Sequence, residues 1–372
     1  MLYARLKTQL SFLYDLLGWK TNRRLVVFES DDWGSIRIPS KSVYNILLKN
    51  GIKVDQCPYC KYDALETNDD LNPLFNLLID FKDLEHNHPV ITTNMVMANP
   101  DFEKIRKYEL KEFYYEVFTD SYKRYDTYTS TFNSLKAGIE AGLFHPQFHG
   151  REHLNITRWM NALQNKSVET LYAFNLNTYA ISTTVSNERR KSYLEAFGID
   201  RMSDLESQKD VIKDGLNIFK SVFGFNPESF IAPNYTWHPE LDSGLLDLGV
   251  RYFQSSGFRI IPHPKRHRTK IHYLGSKNRI GQTFLRRNCH FEPSLGGNNP
   301  VDICLNEISS AFKSNNPAII QTHRLNFIGS MDERNRERNL SSLRLLLKEI
   351  LRRWPDVEFI SSDNLGKLMT RK

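Results

Sequence analysis

Two carboxylates stand at the end of the first strongly apolar run of the chain. Residues 25–28 have the composition of a buried parallel strand, and Glu29, Ser30, Asp31 and Asp32 follow immediately. In folds that alternate strands and helices, the chemistry is placed at the carboxyl ends of the strands. Adjacent aspartates there repel each other and lose hydration unless a cation shares the site. The pair Asp31 and Asp32 therefore predicts a metal ion at this strand end.

Histidines that could complete such a site follow the third predicted strand. That strand leads into His149-Gly-Arg-Glu-His153, where we expect a helix that continues to about residue 164. Two imidazoles four residues apart at the start of a helix can converge on one ion. His145 also lies four residues before His149, so three histidines compete for two ligand positions. Pro146 breaks helical geometry between the first two, which favours His149 and His153.

Further polar side chains follow other predicted strands. One strand leads into a turn containing Asn234 and Tyr235, whose backbone N–H groups could hold a developing oxyanion. A later strand leads to Arg286 and Arg287, and the seventh ends in His323. Because the carboxyl ends of parallel strands meet at one edge of a sheet, we expect these groups to surround a single site.

The elements that must position these groups are seven or eight strands alternating with helices. That order predicts an α/β fold in which a parallel sheet closes into a barrel. The length of 372 residues and 40% hydrophobic content allow one large domain, residues 1–372. Residues 1–20 have leucines at helical spacing and basic ends, which predicts an amphipathic helix packed on the domain. Peripheral contact with a membrane carrying a lipid-linked substrate is the alternative.

Composition narrows the class of protein. The 50 basic and 43 acidic residues give a mixed surface with a net charge of +7 and no recognised nucleic-acid motif, so we expect no nucleic-acid partner. Four cysteines are few for this length and indicate a reducing compartment. The N-terminus lacks the pattern of a secretion signal, and no run of about eighteen apolar residues predicts a membrane span. These features together predict a cytoplasmic protein.

Two charged segments have two interpretations each. Residues 62–70, with the sequence YDALETNDD, are either a solvated connection that caps the next helix or a substrate loop over the strand ends. The basic residues 263–272 are either an exposed variable loop or a groove for an acidic or phosphate-bearing glycan.

The order of the motifs resembles that of the polysaccharide deacetylase family, the NodB-type carbohydrate esterases. The family's apolar strand ending in F-D-D-G is similar to residues 28–34, and its H-x-x-x-H followed by leucine is similar to residues 149–154. Its R-P-P-Y or R-A-P-x motif resembles residues 231–235, and its L-x-H resembles residues 320–323. The resemblance covers about residues 24–365.

The resemblance implies a distorted (β/α)7-type barrel of parallel strands, in a single domain with inserted loops. It implies a divergent intracellular hydrolase that removes N-acetyl or O-acetyl groups from a polysaccharide or glycan precursor. It also implies one divalent metal ion, held by Asp32, His149 and His153. Zinc is expected, and cobalt, manganese or nickel are alternatives.

The same resemblance implies the catalytic roles. Asp31 would be the general base that activates water held at the ion. Tyr235 would give its backbone N–H to the oxyanion, and His323 would protonate the leaving group.

Two of the family's side chains have no direct counterpart. Ile231 stands where the family has the arginine that orients the base, and the carboxylate that partners the acid histidine has no clear match. We expect Arg286 and Glu292 to supply these groups from another strand. The predicted substrate contacts are Trp33, Asn234, Trp237 and Glu292.

Two other functions fit the same residues. Asp31 and Glu292 could be the carboxylate pair of a metal-independent glycoside hydrolase, which requires a separation of about 5 to 9.5 Å. Alternatively, the chain could be a decayed deacetylase that only binds glycan, because the arginine is missing. The residues leave open the sugar, the choice between amide and ester, the metal, the oligomeric state and whether His145 is a ligand.

Overall fold

A computed structural model describes residues 17–125 and 130–371 of the protein. Residues 1–16, most of the predicted N-terminal helix, lie outside the described residues. The strands are β1 (Arg24–Trp33), β2 (Ile91–Met95), β3 (Ala98–Pro100), β4 (Tyr115–Val117), β5 (Phe144–Phe148), β6 (Ser229–Phe230), β7 (Tyr252–Ser255), β8 (Phe258–Ile261), β9 (Arg268–Ile271), β10 (Thr283–Arg286), β11 (Cys289–His290), β12 (Ala318–His323) and β13 (Val357–Phe359).

The helices alternate with the long strands, as the sequence predicts. They are α1 (Lys41–Lys49), α2 (Pro58–Tyr62), α3 (Asn68–Ile79), α4 (Phe102–Lys107), α5 (Phe118–Tyr125), α6 (Thr131–Glu140), α7 (Ile156–Gln164), α8 (Val168–Asn175), α9 (Asp204–Phe223), α10 (Asp242–Asp247), α11 (Pro300–Lys313), α12 (Glu333–Arg353) and α13 (Ser362–Thr370). None of the helices in the described part of the chain is long and apolar enough to cross a membrane.

The main sheet is parallel and curls into a distorted β/α barrel. Its order is β10-β7-β6-β5-β2-β1-β12-β11, and β13 pairs with the beginning of β1. The two end strands, β10 and β11, are consecutive parts of one stretch separated by Arg287 and Asn288. Before this break the stretch pairs with β7, and after it with β12. One stretch of chain therefore joins the two ends of the sheet, which confirms the predicted barrel.

The side chains that point into the barrel are apolar near the beginning of the strands, which we call the barrel floor, and polar near the strand ends, which we call the barrel mouth. Leu25 and Val27 of β1 pack with Leu285 of β10, Ile319 of β12 and Leu365 of α13. Side chains two residues apart point to the same face of a strand. The positions that follow the floor residues on the same face are therefore the polar ones that surround the strand ends: Glu29, Asp31, Arg287 and Gln321.

The opposite face of the sheet packs against the helices. Val26 and Phe28 belong to a large apolar cluster that includes Leu74 and Leu78 of α3 and Leu346 of α12. This helical layer fixes the strand positions, and the strands in turn fix the polar groups at the barrel mouth.

Candidate metal centre and the residues around it

Three buried ligand atoms converge at the barrel mouth. Oδ1 of Asp32 lies 3.4 Å from Nε2 of His149 and 3.4 Å from Nε2 of His153. One ligand atom from each of these side chains lies within 4.8 Å of the others. Asp32 has a left-handed backbone with φ +77°, which turns the chain at the end of β1. Its other oxygen, Oδ2, accepts a hydrogen bond from Arg37 at 3.3 Å.

The chemistry of these donors fits a divalent cation. Nδ1 of His149 lies 2.8 Å from the carbonyl oxygen of Ile231, which can only accept, so Nδ1 carries the proton. In the neutral ring, Nε2 then presents a lone pair toward Asp32. Burial lowers the pKa of His153 to about 3, so this imidazole is neutral at physiological pH. A carboxylate and two imidazoles form a typical ligand set for zinc and related ions.

The two histidines reach this position from an irregular loop, which corrects the predicted helix at 149–164. The chain has no helix at His149–His153, and α7 begins only at Ile156. Gly150 adopts φ +115°, a conformation that L side chains rarely take, and this bend replaces the expected helical turn. Asn155 caps α7 by accepting from the backbone N–H of Arg158.

His145 takes no part in this centre. Its Nε2 lies 3.0 Å from Oδ1 of Asp363 on α13, and the histidine is one-third exposed. Of the three candidate histidines, His149 and His153 are therefore the two that lie at the centre.

Asp31 is held by a buried arginine. Arg287 makes a two-pronged contact with Asp31, with Nη1–Oδ2 and Nη2–Oδ1 distances of 2.7 Å, and its Nε donates to Glu29 at 2.6 Å. Asn94 also donates to Asp31 at 2.7 Å. Burial alone would raise the pKa of Asp31, but the Arg287 guanidinium outweighs it and lowers the pKa to about 2. The carboxylate is therefore ionised and fixed in orientation.

This contact corrects the expectation for Arg286. The arginine that orients Asp31 is Arg287, because the interior face of this stretch carries Leu285 and then Arg287. Arg286, one position earlier, packs against Gly257.

His323 and Glu292 form the opposite side of the site. Nδ1 of His323 lies 2.5 Å from Oε1 of Glu292, and Nε2 lies 3.6 Å from Oδ2 of Asp31. Burial acts to lower the pKa of His323, but the Glu292 carboxylate outweighs this effect and raises the pKa to about 9. Asn326 holds the second oxygen of Glu292 with a hydrogen bond of 2.7 Å. The structure thus pairs Glu292 with His323 and keeps the imidazole protonated at neutral pH.

A segment that overlaps the acidic residues 62–70 lies beside His323. In this wall segment (residues 57–66), the Tyr59 hydroxyl lies 3.4 Å from Nε2 of His323, and the two rings meet edge to face at 5.2 Å. Asp63 and Glu66 are buried and accept hydrogen bonds from the Arg324 guanidinium. The charges of Asp63 and Glu66 are therefore paired inside the protein instead of solvated, whereas Thr67 and Asp70 cap α3, as expected for this connection.

The Ala-Pro-Asn-Tyr turn presents a different group from the one expected. The backbone N–H of Tyr235 donates to the carbonyl oxygen of Ala232 at 2.9 Å, so it is already engaged within the turn. The Tyr235 hydroxyl instead reaches the site, 3.3 Å from Nη1 of Arg287 and 3.1 Å from Oε1 of Gln321. Asn234 is exposed at the rim.

The two tryptophans predicted to contact substrate are core residues. Trp33 is fully buried, and its indole N–H donates to the Ser30 hydroxyl at 2.9 Å. Trp237 is also buried, and its N–H donates to Asp242 at 3.0 Å. Neither ring offers a free face on which a sugar could stack.

Three contacts of the site were missed in the sequence: Arg37 on Asp32, Asn94 on Asp31 and Tyr59 on His323. Asn94 had a usable signal, since it is a polar residue near the carboxyl end of the apolar stretch at 89–96, which predicts the second strand. Arg37 and Tyr59 lie in irregular or short elements, where no periodicity indicates which face they occupy.

Comparisons with known proteins give weak likenesses to solved structures. Neither a scan of family models nor a search of curated proteins gives a match. A structure described as a probable polysaccharide deacetylase from Pseudomonas aeruginosa is 8% identical, with 93% of this chain and 91% of that chain covered and a TM-score of 0.45. The peptidoglycan deacetylase PdaC of Bacillus subtilis is 8% identical, with 93% of this chain and 92% of that chain covered and a TM-score of 0.36.

A 4-alpha-glucanotransferase from Thermococcus litoralis is 9% identical, with 94% of this chain and 41% of that chain covered and a TM-score of 0.45. Proteins with different activities thus match at similar TM-scores, so these likenesses do not select among functions.

Proposed function

We propose that the chain is a metal-dependent hydrolase that removes N-acetyl or O-acetyl groups from a glycan or glycan precursor. The observation that carries this proposal is the convergence of Asp32, His149 and His153 on one point beside Asp31 and His323. A divalent ion held there, which we expect to be zinc, would polarise an acyl carbonyl and lower the pKa of water. The agreement with the motif order of the polysaccharide deacetylases supports the same assignment.

The remaining steps are assigned to side chains of this chain. Asp31, ionised and fixed by Arg287, is the group positioned to accept the proton of the attacking water. His323, protonated through its contact with Glu292, is the group that can return a proton to the departing amine or alkoxide. The hydroxyl of Tyr235 lies among these groups and is the candidate contact for the acyl oxygen, in place of its backbone N–H.

The arrangement is less suited to a glycoside hydrolase. Asp31 and Glu292 lie on opposite sides of the same imidazole, and each carboxylate is engaged by other side chains. No pair of open carboxylates therefore flanks a sugar-sized space between these two residues.

The scarcity of cysteines, all four of them free, supports our placement of the protein in the reducing cytoplasm.

The test begins with chelator-treated protein loaded with zinc, cobalt, manganese or nickel. Bound metal is measured by elemental analysis, and acetate release is measured on a panel of N- and O-acetylated oligosaccharides. We expect about one ion per chain and metal-dependent acetate release. His153→Gln should weaken metal binding at least tenfold, whereas the matched control His145→Gln should bind normally, because His145 pairs with Asp363 outside the centre.

Three outcomes would overturn the proposal. Wild-type protein that retains no ion after loading would remove the metal centre. Release of new reducing ends without metal would indicate a glycoside hydrolase. Stoichiometric metal without acetate release from any substrate in the panel would favour a glycan-binding protein.

A further inference from the structure

The positive charge of the protein is concentrated in one stretch of the chain. Residues 248–291 contain 10 lysines and arginines and no aspartate or glutamate. The rest of the sequence has 40 basic and 43 acidic residues, so it is slightly negative. The net charge of +7 therefore comes entirely from this stretch, which includes the strand end carrying Arg287.

One exposed part of this stretch is a two-stranded hairpin. Strands β8 and β9 pair antiparallel, with Arg259 opposite Lys270 and Ile261 opposite Arg268. We call residues 258–271 the basic hairpin. Its tip forms an open pocket with a volume of about 670 Å³, lined by His263, Lys265, Arg266, His267, Arg268 and Thr269.

Within residues 17–125 and 130–371, most cations of the hairpin have no acidic partner. Among the described residues, no carboxylate lies within 4.0 Å of a terminal nitrogen of Lys265, Arg266, Arg268 or Lys270. Of the hairpin's arginines and lysines, Arg259 is the one with a described acidic partner, Asp242. Like charges this close together repel each other, and an anion bound among them would relieve that repulsion.

The base of the hairpin contacts the proposed catalytic site. The ring of Phe258, the first residue of β8, meets the ring of Tyr235 at 5.6 Å. The backbone N–H of Trp237 donates to the carbonyl oxygen of Ile260 at 3.1 Å, which ties the hairpin to the rim of the barrel. Four residues of extended strand span about 13 Å, so the basic tip lies roughly that far from the Phe258 contact. That distance is within reach of a bound oligosaccharide.

We propose that the basic hairpin binds the anionic group of a glycan substrate while another residue of the same glycan occupies the catalytic site. This inference rests on the proposed function and narrows its substrate class to glycans that carry phosphate or carboxylate groups. Lys265, Arg266 and Arg268 bind the anion, and the contact between Phe258 and Tyr235 connects the two subsites. A neutral acetylated glycan lacks this second attachment and binds more weakly.

The test measures binding separately from catalysis. Full-length Asp31→Asn protein, loaded with zinc, is titrated with three labelled forms of N-acetylchitohexaose: the neutral oligosaccharide, its reducing-end phosphate and its reducing-end aldonate. We expect each anionic form to bind about tenfold more tightly than the neutral form, and the difference to shrink as salt is raised. The phosphate and aldonate arms identify which anion the hairpin prefers.

A triple variant assigns the difference to the hairpin. Lys265→Gln, Arg266→Gln and Arg268→Gln together should reduce the binding of the anionic forms about tenfold and leave the neutral form unchanged. The matched control combines Lys49→Gln, Lys82→Gln and Lys220→Gln, three exposed lysines outside the hairpin, and should bind all three forms normally.

The outcomes separate this inference from the proposed function. Equal affinity for neutral and anionic forms overturns the inference, even if the wild-type enzyme releases acetate. Hairpin-dependent binding without acetate release by the wild type supports the anion site and contradicts the deacetylase. Equally tight, hairpin-dependent binding of single-stranded DNA or phosphatidylglycerol vesicles also overturns the inference, because it shows a general attraction to polyanions.

Discussion

At the scale of single residues, the pair of Glu292 and His323 makes the pH dependence of activity predictable. Their 2.5 Å contact raises the pKa of His323 to about 9, so the acid form is present below that pH and is lost as pH rises through it. Glu292→Gln removes the negative charge, and the pKa should fall toward the ordinary value near 6.5. We therefore expect the alkaline limb of the kcat/KM profile for acetate release to move down by about one to two pH units.

The control for this change is another carboxylate paired with a histidine. Glu307 contacts His290 at 3.2 Å on the exposed surface, away from the catalytic groups, so Glu307→Gln should leave the profile in place. An alkaline limb that stays unchanged in Glu292→Gln would show that His323 does not supply the proton.

The choice between Arg286 and Arg287 shows where residue-scale reasoning from sequence ends. Successive strand residues point to opposite faces, so an error of one position exchanges the interior for the exterior. Phe284 and Leu285 are both buried, so the sequence offers no apolar–polar alternation that identifies the inner face. The type and the location of the residue could be predicted, whereas its side of the strand required the structure.

At the scale of elements, the wall segment depends on buried ion pairs. Asp63 accepts hydrogen bonds from Nε and Nη2 of Arg324 at 3.0 and 3.1 Å and lies 3.6 Å from Nε of Arg37, which itself contacts Asp32. Asp63→Asn leaves the guanidinium groups without this buried counter-charge. We expect the free energy of unfolding to fall by about 3 kcal/mol, measured by urea denaturation.

Asp55→Asn provides the comparison, because Asp55 lies just before the wall segment and is exposed. It should change the stability by less than about 0.5 kcal/mol. Equal stabilities of the two variants would mean that the pairs around Asp63 do not hold the segment in place.

The sequence predicts strands and helices well where a long run of apolar residues indicates the element. It predicts them poorly where polar residues are compatible with more than one type of element. Strand β1 follows directly from its apolar run, and for the same reason the predicted ends of β5 and β12 lie within one residue of the observed ends. The spacing of His149 and His153 is compatible with a helix and with a loop, so the sequence predicts a helix where the structure has a loop. The buried pairs of Asp63 and Glu66 join residues more than 250 positions apart in sequence, a relation that no local pattern reveals.

At the scale of the whole molecule, the barrel is closed by one broken strand, and Asn288 lies at the break. Its side chain accepts from the backbone N–H of Ile319 at 2.8 Å and donates to the carbonyl oxygen of Pro317 at 2.9 Å. Its own backbone N–H donates to the carbonyl oxygen of Ile319 at 3.1 Å. These three hydrogen bonds attach the end of the sheet to β12, immediately after Arg287 has bound Asp31.

Removing this attachment should affect the stability of the entire barrel. Asn288→Ala leaves one backbone donor and one backbone acceptor unpaired, and we expect the free energy of unfolding to fall by about 2 to 3 kcal/mol in urea denaturation. Asn306→Ala, on the exposed face of α11, should be nearly neutral. A loss below about 0.5 kcal/mol for Asn288→Ala would show that the pairing of β11 with β12 closes the barrel without this side chain. A loss of 2 to 3 kcal/mol would show that the Asn288 side chain holds the end of the sheet to β12, one residue after the arginine that binds Asp31.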